Sequence, residues 1–210
     1  MPEHKISYQT QKTYSTLNTL DQKTEYIWLV CHGIGYLSRY FIKYFTVLNS
    51  EKHFIIAPQA PSKYYQDKKY KHIGASWLTR EETKMEMQNN IVYFDKIYEK
   101  EILPHQDKKL IILGYSQGVS VAMRWIANSK IDCKSLIIHS GGIPEELKSN
   151  DFIALNFKPY LVYGKSDPYI DSERVKIEFE KASELFGSEL EVIPFEGKHE
   201  VSREVIAKFN

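Results

Sequence analysis

Gly114-Tyr115-Ser116-Gln117-Gly118 sets a serine between two glycines, directly behind the apolar run Lys109–Leu113 and directly ahead of Val119–Ile126, which has helical patterning. A serine at a sharp strand-to-helix turn is the setting of a nucleophile elbow. Glycine at Gly114 and Gly118 removes the Cβ atoms that would obstruct the close approaches such a turn forces. A serine hydroxyl is a poor nucleophile at neutral pH. It needs a base within hydrogen-bond reach and a third group to hold that base.

Two residues further along the chain fit those roles, each just past a strand-like run. Asp167 stands three residues after Gly164, in Tyr163-Gly164-Lys165-Ser166-Asp167-Pro168, where Pro168 biases it away from helical backbone. His199 stands in Phe195-Glu196-Gly197-Lys198-His199-Glu200, between the last strand and the last helix. The expected roles are Ser116 as nucleophile, His199 as general base and then acid, and Asp167 as the group that fixes the imidazole. Plainer readings stand beside these. Asp167-Pro168 also fits an ordinary turn, Asp171 is a rival acid that better fits a helix cap, and His199 alone fits a surface histidine. His4, His53, His72 and His105 follow no suitable strand–helix loop, and His139 ends a strand but precedes Asp167 in the chain.

Acyl transfer also needs N–H donors aimed at the developing oxyanion. Gln117 supplies one from its backbone at the start of a helix. The second is expected from His32-Gly33-Ile34-Gly35, which follows the first central strand, with the Ile34 N–H as the donor. Gly33 and Gly35 let that turn face the pocket, and His32 is expected to brace it. A tight turn that merely ends the strand is the plainer alternative.

The elements that must position these residues follow from pattern. Tyr26–Cys31, Phe54–Ala57, Lys109–Leu113, Ser135–His139, Pro159–Tyr163 and Leu190–Phe195 read as short buried strands. Helices are expected over about 36–48, 82–103, 171–186 and 202–209, besides the one after Ser116. In the second of these, Met85, Ile91, Phe94, Ile97, Tyr98 and Ile102 recur at helical spacing. Residues 5–20 alternate weakly and predict an N-terminal hairpin, and the Lys- and Tyr-rich residues 62–76 predict an excursion loop. Strands alternating with helices predict an α/β fold with a mostly parallel, doubly wound sheet, whose ligands bind beyond the carboxyl ends of the strands.

Bulk properties narrow the classes. At 210 residues, without repeats or linker-like stretches, one domain spanning 1–210 is expected. The 28 basic and 27 acidic residues leave a net charge of +1, so no long-range field selects nucleic acid or a membrane surface. The polar start Met1–Lys5 and the lack of an apolar run of membrane-spanning length predict a cytoplasmic protein without a signal peptide. Cys31 and Cys133 form no disulfide framework, and Cys31 reads as core packing inside a strand. No H-E-x-x-H or P-loop pattern is present, so neither a metal nor another cofactor is expected. Lys63, Lys68, Lys69 and Lys71, interleaved with tyrosines, fit either a solvated loop or contact with an anionic substrate or surface.

Taken together, these motifs resemble the α/β-hydrolase superfamily, which shares the order Ser116, Asp167, His199. More narrowly they resemble its small phospholipase/carboxylesterase branch, which includes the acyl-protein thioesterases. The likeness rests on His-Gly-x-Gly at 32–35, Ala57-Pro58-Gln59-Ala60-Pro61, Gly74-Ala75-Ser76-Trp77, Gly-x-Ser-Gln-Gly at 114–118, Ser140-Gly141-Gly142-Ile143-Pro144, Asp167-Pro168 and His199. It implies a cofactor-free hydrolase of small or medium carboxylic esters or thioesters, with no large cap domain, and Trp77 is expected in the substrate pocket. The acid motif begins Tyr-Gly, where the branch usually has His-Gly, and Lys198 stands where a glycine is common. The competing readings are a hydrolase-fold binding protein or receptor with little turnover, and a small peptidase of the same fold.

Overall fold

Alternation within the apolar runs builds two cores on opposite faces of one sheet. The computed structural model describes residues 1–210. Its strands are β1 (Tyr14–Leu17), β2 (Tyr26–Cys31), β3 (His53–Pro58), β4 (Ser62–Tyr65), β5 (Ile73–Ser76), β6 (Lys109–Tyr115), β7 (Ser135–His139), β8 (Lys158–Gly164) and β9 (Glu191–Phe195). Seven of them form a sheet in the order β1-β3-β2-β6-β7-β8-β9. Every pairing in it is parallel except the antiparallel edge pair β1–β3. The helices are α1 (Ser38–Phe41, continued as a 3₁₀ turn over Ile42–Val47), α2 (Thr83–Ile97), α3 (Gln117–Ser129), α4 (Ser172–Phe186) and α5 (Arg203–Ala207).

Along β2, Ile27, Leu29 and Cys31 point into the core beneath α2, α3 and α4, while Trp28 and Val30 point into the one beneath α1 and α5. That is the period-two geometry of a strand buried on both faces, and it explains why the central strands read as unbroken apolar runs. The chain steps from β2 out to β3 on one side and later to β6 on the other. The carboxyl ends of β2 and β6 therefore flank a switch point, where a crevice opens in sheets of this kind.

Several expectations are corrected. Residues 5–13 form no strand, so there is no N-terminal hairpin; only Tyr14–Leu17 joins the sheet, pairing Thr16 with Ile56 at the β3 edge. The excursion loop is instead the hairpin β4–β5, with Lys63 opposite Ala75. It is tied down by Gly35 N–H donating to the Ala75 carbonyl (2.8 Å) and by the Gln66 side chain donating to the Gly35 carbonyl (2.9 Å). The long helix loses α geometry after Ile97 and widens into a π turn over Tyr98–Ile102. Met85 is exposed, and Met87 takes the buried position on that helix.

Candidate active site

The turn from β6 into α3 holds Ser116 in a strained conformation, φ 53° and ψ −120°, which a non-glycine residue adopts only where its surroundings impose it. The surroundings are close. A Cβ on Gly118 would stand 2.1 Å from the Cys31 carbonyl oxygen, and one on Gly114 would stand 2.5 Å from the Val119 Cα. Gly118 thus lets α3 start directly against the end of β2, and Gly114 lets the end of β6 pass close beneath the first turn of α3. Ser116 N–H donates to the His139 carbonyl at 2.9 Å, anchoring the elbow to β7.

His199 Nε2 lies 3.0 Å from Ser116 Oγ, and its Nδ1 lies 2.7 Å from Asp167 Oδ2. Asp167 is buried, and its other oxygen accepts the backbone N–H groups of Tyr169 (2.8 Å) and Ile170 (3.1 Å). The loops bearing the acid and the base are stitched together: Lys165 N–H donates to the Phe195 carbonyl and Ser166 N–H to the Gly197 carbonyl, both at 2.9 Å. Tyr115 and Tyr169 flank the imidazole with ring centroids 5.3 and 5.0 Å away, and the Tyr115 hydroxyl donates to the His199 carbonyl at 2.9 Å. Burial pushes the Tyr115 phenol well above the usual tyrosine range, so it stays a neutral donor. Asp171 caps α4 by accepting the Arg174 N–H at 2.9 Å, leaving Asp167 as the acid that faces His199.

The 32–35 turn closes against the elbow. A Cβ on Gly33 would stand 3.1 Å from the Ser116 Cβ, and Gly35 has φ +86°. The Ile34 N–H makes no hydrogen bond within the chain. Gln117 is the first residue of α3, so its N–H belongs to the first-turn donors that a helix leaves unpaired. Both residues line the same cavity as Ser116 and His199, a space of about 520 Å³.

Three side chains hold that turn from behind. His32 is buried; its Nδ1 sits 2.8 Å from the Gly33 carbonyl and its Nε2 accepts the Ala60 N–H at 3.2 Å. One nitrogen donates and the other accepts, so the ring is neutral with its proton on Nδ1, and burial holds its pKa down to about 4. The Trp77 indole N–H donates to the His32 carbonyl at 2.7 Å. The Gln117 side chain accepts the Trp77 backbone N–H (2.9 Å) and donates to the Leu78 carbonyl (2.8 Å). Trp77 is therefore placed differently from the substrate-pocket position expected for it: it is fully buried between His32 and Phe94, outside the cavity lining.

Of the remaining histidines, His139 is buried under the elbow, its Nε2 accepting the Ser202 N–H at 3.2 Å. Burial lowers its pKa to about 3, and the nearby His199 adds to the shift. His53 is buried beneath Trp28, and His72 pairs with Asp67 on the exposed hairpin. Cys31 and Cys133 are buried free thiols, and burial raises both, Cys133 to about 12. No three His, Cys, Asp or Glu side chains gather into a metal-binding group. The cavity also takes in Tyr36, Ser120, Tyr169 and Arg174, which motif reading did not reach. Their places depend on loop paths, and only their closeness in sequence to strand ends or to the acid loop marks them.

A seven-stranded, nearly all-parallel sheet, with a strained serine after its central strand and an Asp–His pair on later strand ends, defines an α/β-hydrolase fold. The family profile described as Phospholipase/Carboxylesterase matches residues 13–209, and the chain belongs to that family. Among solved structures it is similar to esterase PE8 (TM-score 0.71, 17% identity, 95% of this chain and 98% of that one). It is also similar to Zea mays acyl-protein thioesterase 2 (0.67, 14%, 95% and 97%) and to a phospholipase/carboxylesterase from Dyadobacter fermentans (0.67, 18%, 97% and 97%). At these identities the likeness is one of fold. Comparison with curated proteins finds no match. No helix is long and apolar enough to cross a membrane.

Proposed function

We propose that the protein hydrolyses small or medium carboxylic esters or thioesters through an acyl-enzyme on Ser116. The observation that carries this reading is the continuous relay from Ser116 Oγ through His199 to Asp167, at 3.0 and 2.7 Å, opening onto a cavity with two N–H donors. With the Nδ1 proton directed at Asp167, His199 Nε2 presents a lone pair to the serine hydroxyl. Oγ attacks the carbonyl carbon and its proton passes to Nε2. The carbonyl oxygen takes the negative charge, facing the N–H groups of Ile34 and Gln117, each such donor being worth about 3–4 kcal/mol of barrier. The tetrahedral adduct collapses, the bond to the leaving oxygen or sulfur breaks, and the Nε2 proton completes the released alcohol or thiol. Water then repeats the sequence on the acyl-enzyme, giving the acid and free Ser116.

A fluorophosphonate probe and a series of p-nitrophenyl acyl esters test this. Wild type should be labelled and should turn over the esters. Ser116→Ala should lose labelling, and Ser116→Ala or His199→Ala should lower kcat by on the order of 10⁴–10⁶ with the fold intact. Labelling that survives in Ser116→Ala removes the nucleophile assignment. Saturable metabolite binding with no turnover at any chain length would favour the receptor reading.

A further inference from the structure

Besides the groups assigned to acyl transfer, the cavity is lined by one permanently charged side chain, Arg174, and by no carboxylate. Arg174 stands in the first turn of α4, just past the acid loop. Its guanidinium is held from behind: Nη2 lies 2.6 Å from Oε1 of buried Glu178, one helical turn on. The other Glu178 oxygen accepts the Ile143 N–H at 2.7 Å, so the carboxylate fixes the arginine to the 140–143 wall. The guanidinium lies over Gly142, where a Cβ would stand 2.9 Å from Nη2, and the wall continues to Gly141, where a Cβ would stand 2.3 Å from the Ser116 carbonyl oxygen. The cation thus sits at the far end of a short backbone wall that begins against the serine.

A guanidinium carries five N–H donors in a flat fork. Glu178 meets it as an ion pair at Nη2, none of its N–H groups makes a hydrogen bond to the chain, and the side chain is 47% exposed. A planar carboxylate matches a free guanidinium edge through two parallel hydrogen bonds. The neutral groups Ser120, Ser140 and Tyr169 also line the cavity and present no competing negative charge.

We propose that Arg174 is a specificity-determining residue that binds a carboxylate carried by the substrate, so that the preferred esters are those bearing a free carboxylate. This rests on Ser116 being the nucleophile. Two matched pairs test it and separate the two places such a group can sit: mono-p-nitrophenyl glutarate against p-nitrophenyl pentanoate, and 4-acetoxybenzoate against phenyl acetate. In one pair, kcat/KM for the charged ester should exceed that for the neutral one by about tenfold or more, as a charge-assisted hydrogen-bond pair implies. Arg174→Gln should lower that ratio by about tenfold, and Arg174→Lys should restore part of it. A disturbed fold lowers both esters together and leaves the ratio unmoved, so an unmoved ratio in Arg174→Gln overturns the assignment. Calorimetry of glutarate with the Ser116→Ala protein decides the matter without turnover: binding should weaken about tenfold on adding Arg174→Gln, and equal binding in both overturns it. Loss of turnover on all four esters would instead fall on Ser116, while the glutarate result still judged Arg174.

Discussion

The two sides of the site are built differently. On one, the 32–35 turn is held by the fully buried His32 and Trp77, backed by the half-buried Gln117 amide. On the other, Asp167 and His199 stand on loops stitched to each other by backbone bonds, with the His199 side chain 19% exposed and Tyr169 beside it 77% exposed. The proposed oxyanion donors are thus held against the core, whereas the proposed proton relay is held by loop-to-loop bonding at the rim. The division suits the chemistry assigned above. Backbone donors must not move as charge develops, while an imidazole that takes and returns a proton needs only a short, oriented reach. Substitutions on the loop side should therefore cost activity without stability, and those on the turn side should cost both.

Asp167→Asn gives the largest separation. Its Oδ1 equivalent still accepts the Tyr169 and Ile170 N–H groups, so the loop keeps its form. The amide nitrogen that replaces Oδ2 faces His199 Nδ1 with a donor and favours the wrong tautomer. The expected outcome is a fall in kcat of about 10⁴-fold, with the thermal midpoint within about 2 °C of wild type. A midpoint that fell steeply would mean the acid is holding the fold, and the contrast between the two sides would fail.

His32→Ala is the matching change on the turn side. It removes the bonds to Gly33 and Ala60 and the ring packed against Trp77, leaving a buried hole and an unpaired Ala60 N–H. Large-to-small changes in cores cost about 2–5 kcal/mol, which is about 5–15 °C in midpoint for a chain of this size. Activity should fall by about 10²-fold as the Ile34 N–H loses its aim. Thermal unfolding and ester kinetics on the same preparation check both halves.

How much of this contrast was legible beforehand depends on the range over which each feature is determined. The central strands carry their burial in their composition, so β2, β6 and β7 read directly from Tyr26–Cys31, Lys109–Leu113 and Ser135–His139. Ser116, Asp167 and His199 stand out because their neighbours are local: glycines, a proline and strand ends. Residues 5–20 alternate as a strand does, but only Tyr14–Leu17 finds an edge to pair with, and availability of an edge is a tertiary fact. The hairpin over 62–76 is held by Gly35 and Ala75, which sequence reading had no reason to bring together. Trp77 misled for a related reason. A tryptophan next to an active-site motif fits a pocket as well as a brace, and the difference lies in the His32 carbonyl that its N–H meets.

Acid should weaken both sides together, the smallest of these effects near neutrality and the one that tests whether they share a cause. His32 on the turn side and His139 under the elbow are buried neutral, with pKa values lowered by burial from 6.5 to about 4 and about 3. His53, packed against Trp28 at the other end of β2, is likewise lowered to about 4 by burial. In each case the unfolded chain takes up the proton first as pH falls. The stability these rings contribute is complete above about pH 6.5 and is lost progressively as pH falls through 6.5 toward 4 for His32 and His53 and toward 3 for His139. Urea unfolding should therefore show the protein less stable at pH 5 than at pH 7, by up to about 2 kcal/mol for each of the three rings. Replacing His32 with Gln should remove its share of that difference while lowering stability at pH 7. An unfolding free energy equal at the two pH values would mean that the rings carry their protons inside the fold, and the neutral brace assigned to His32 would have to be abandoned.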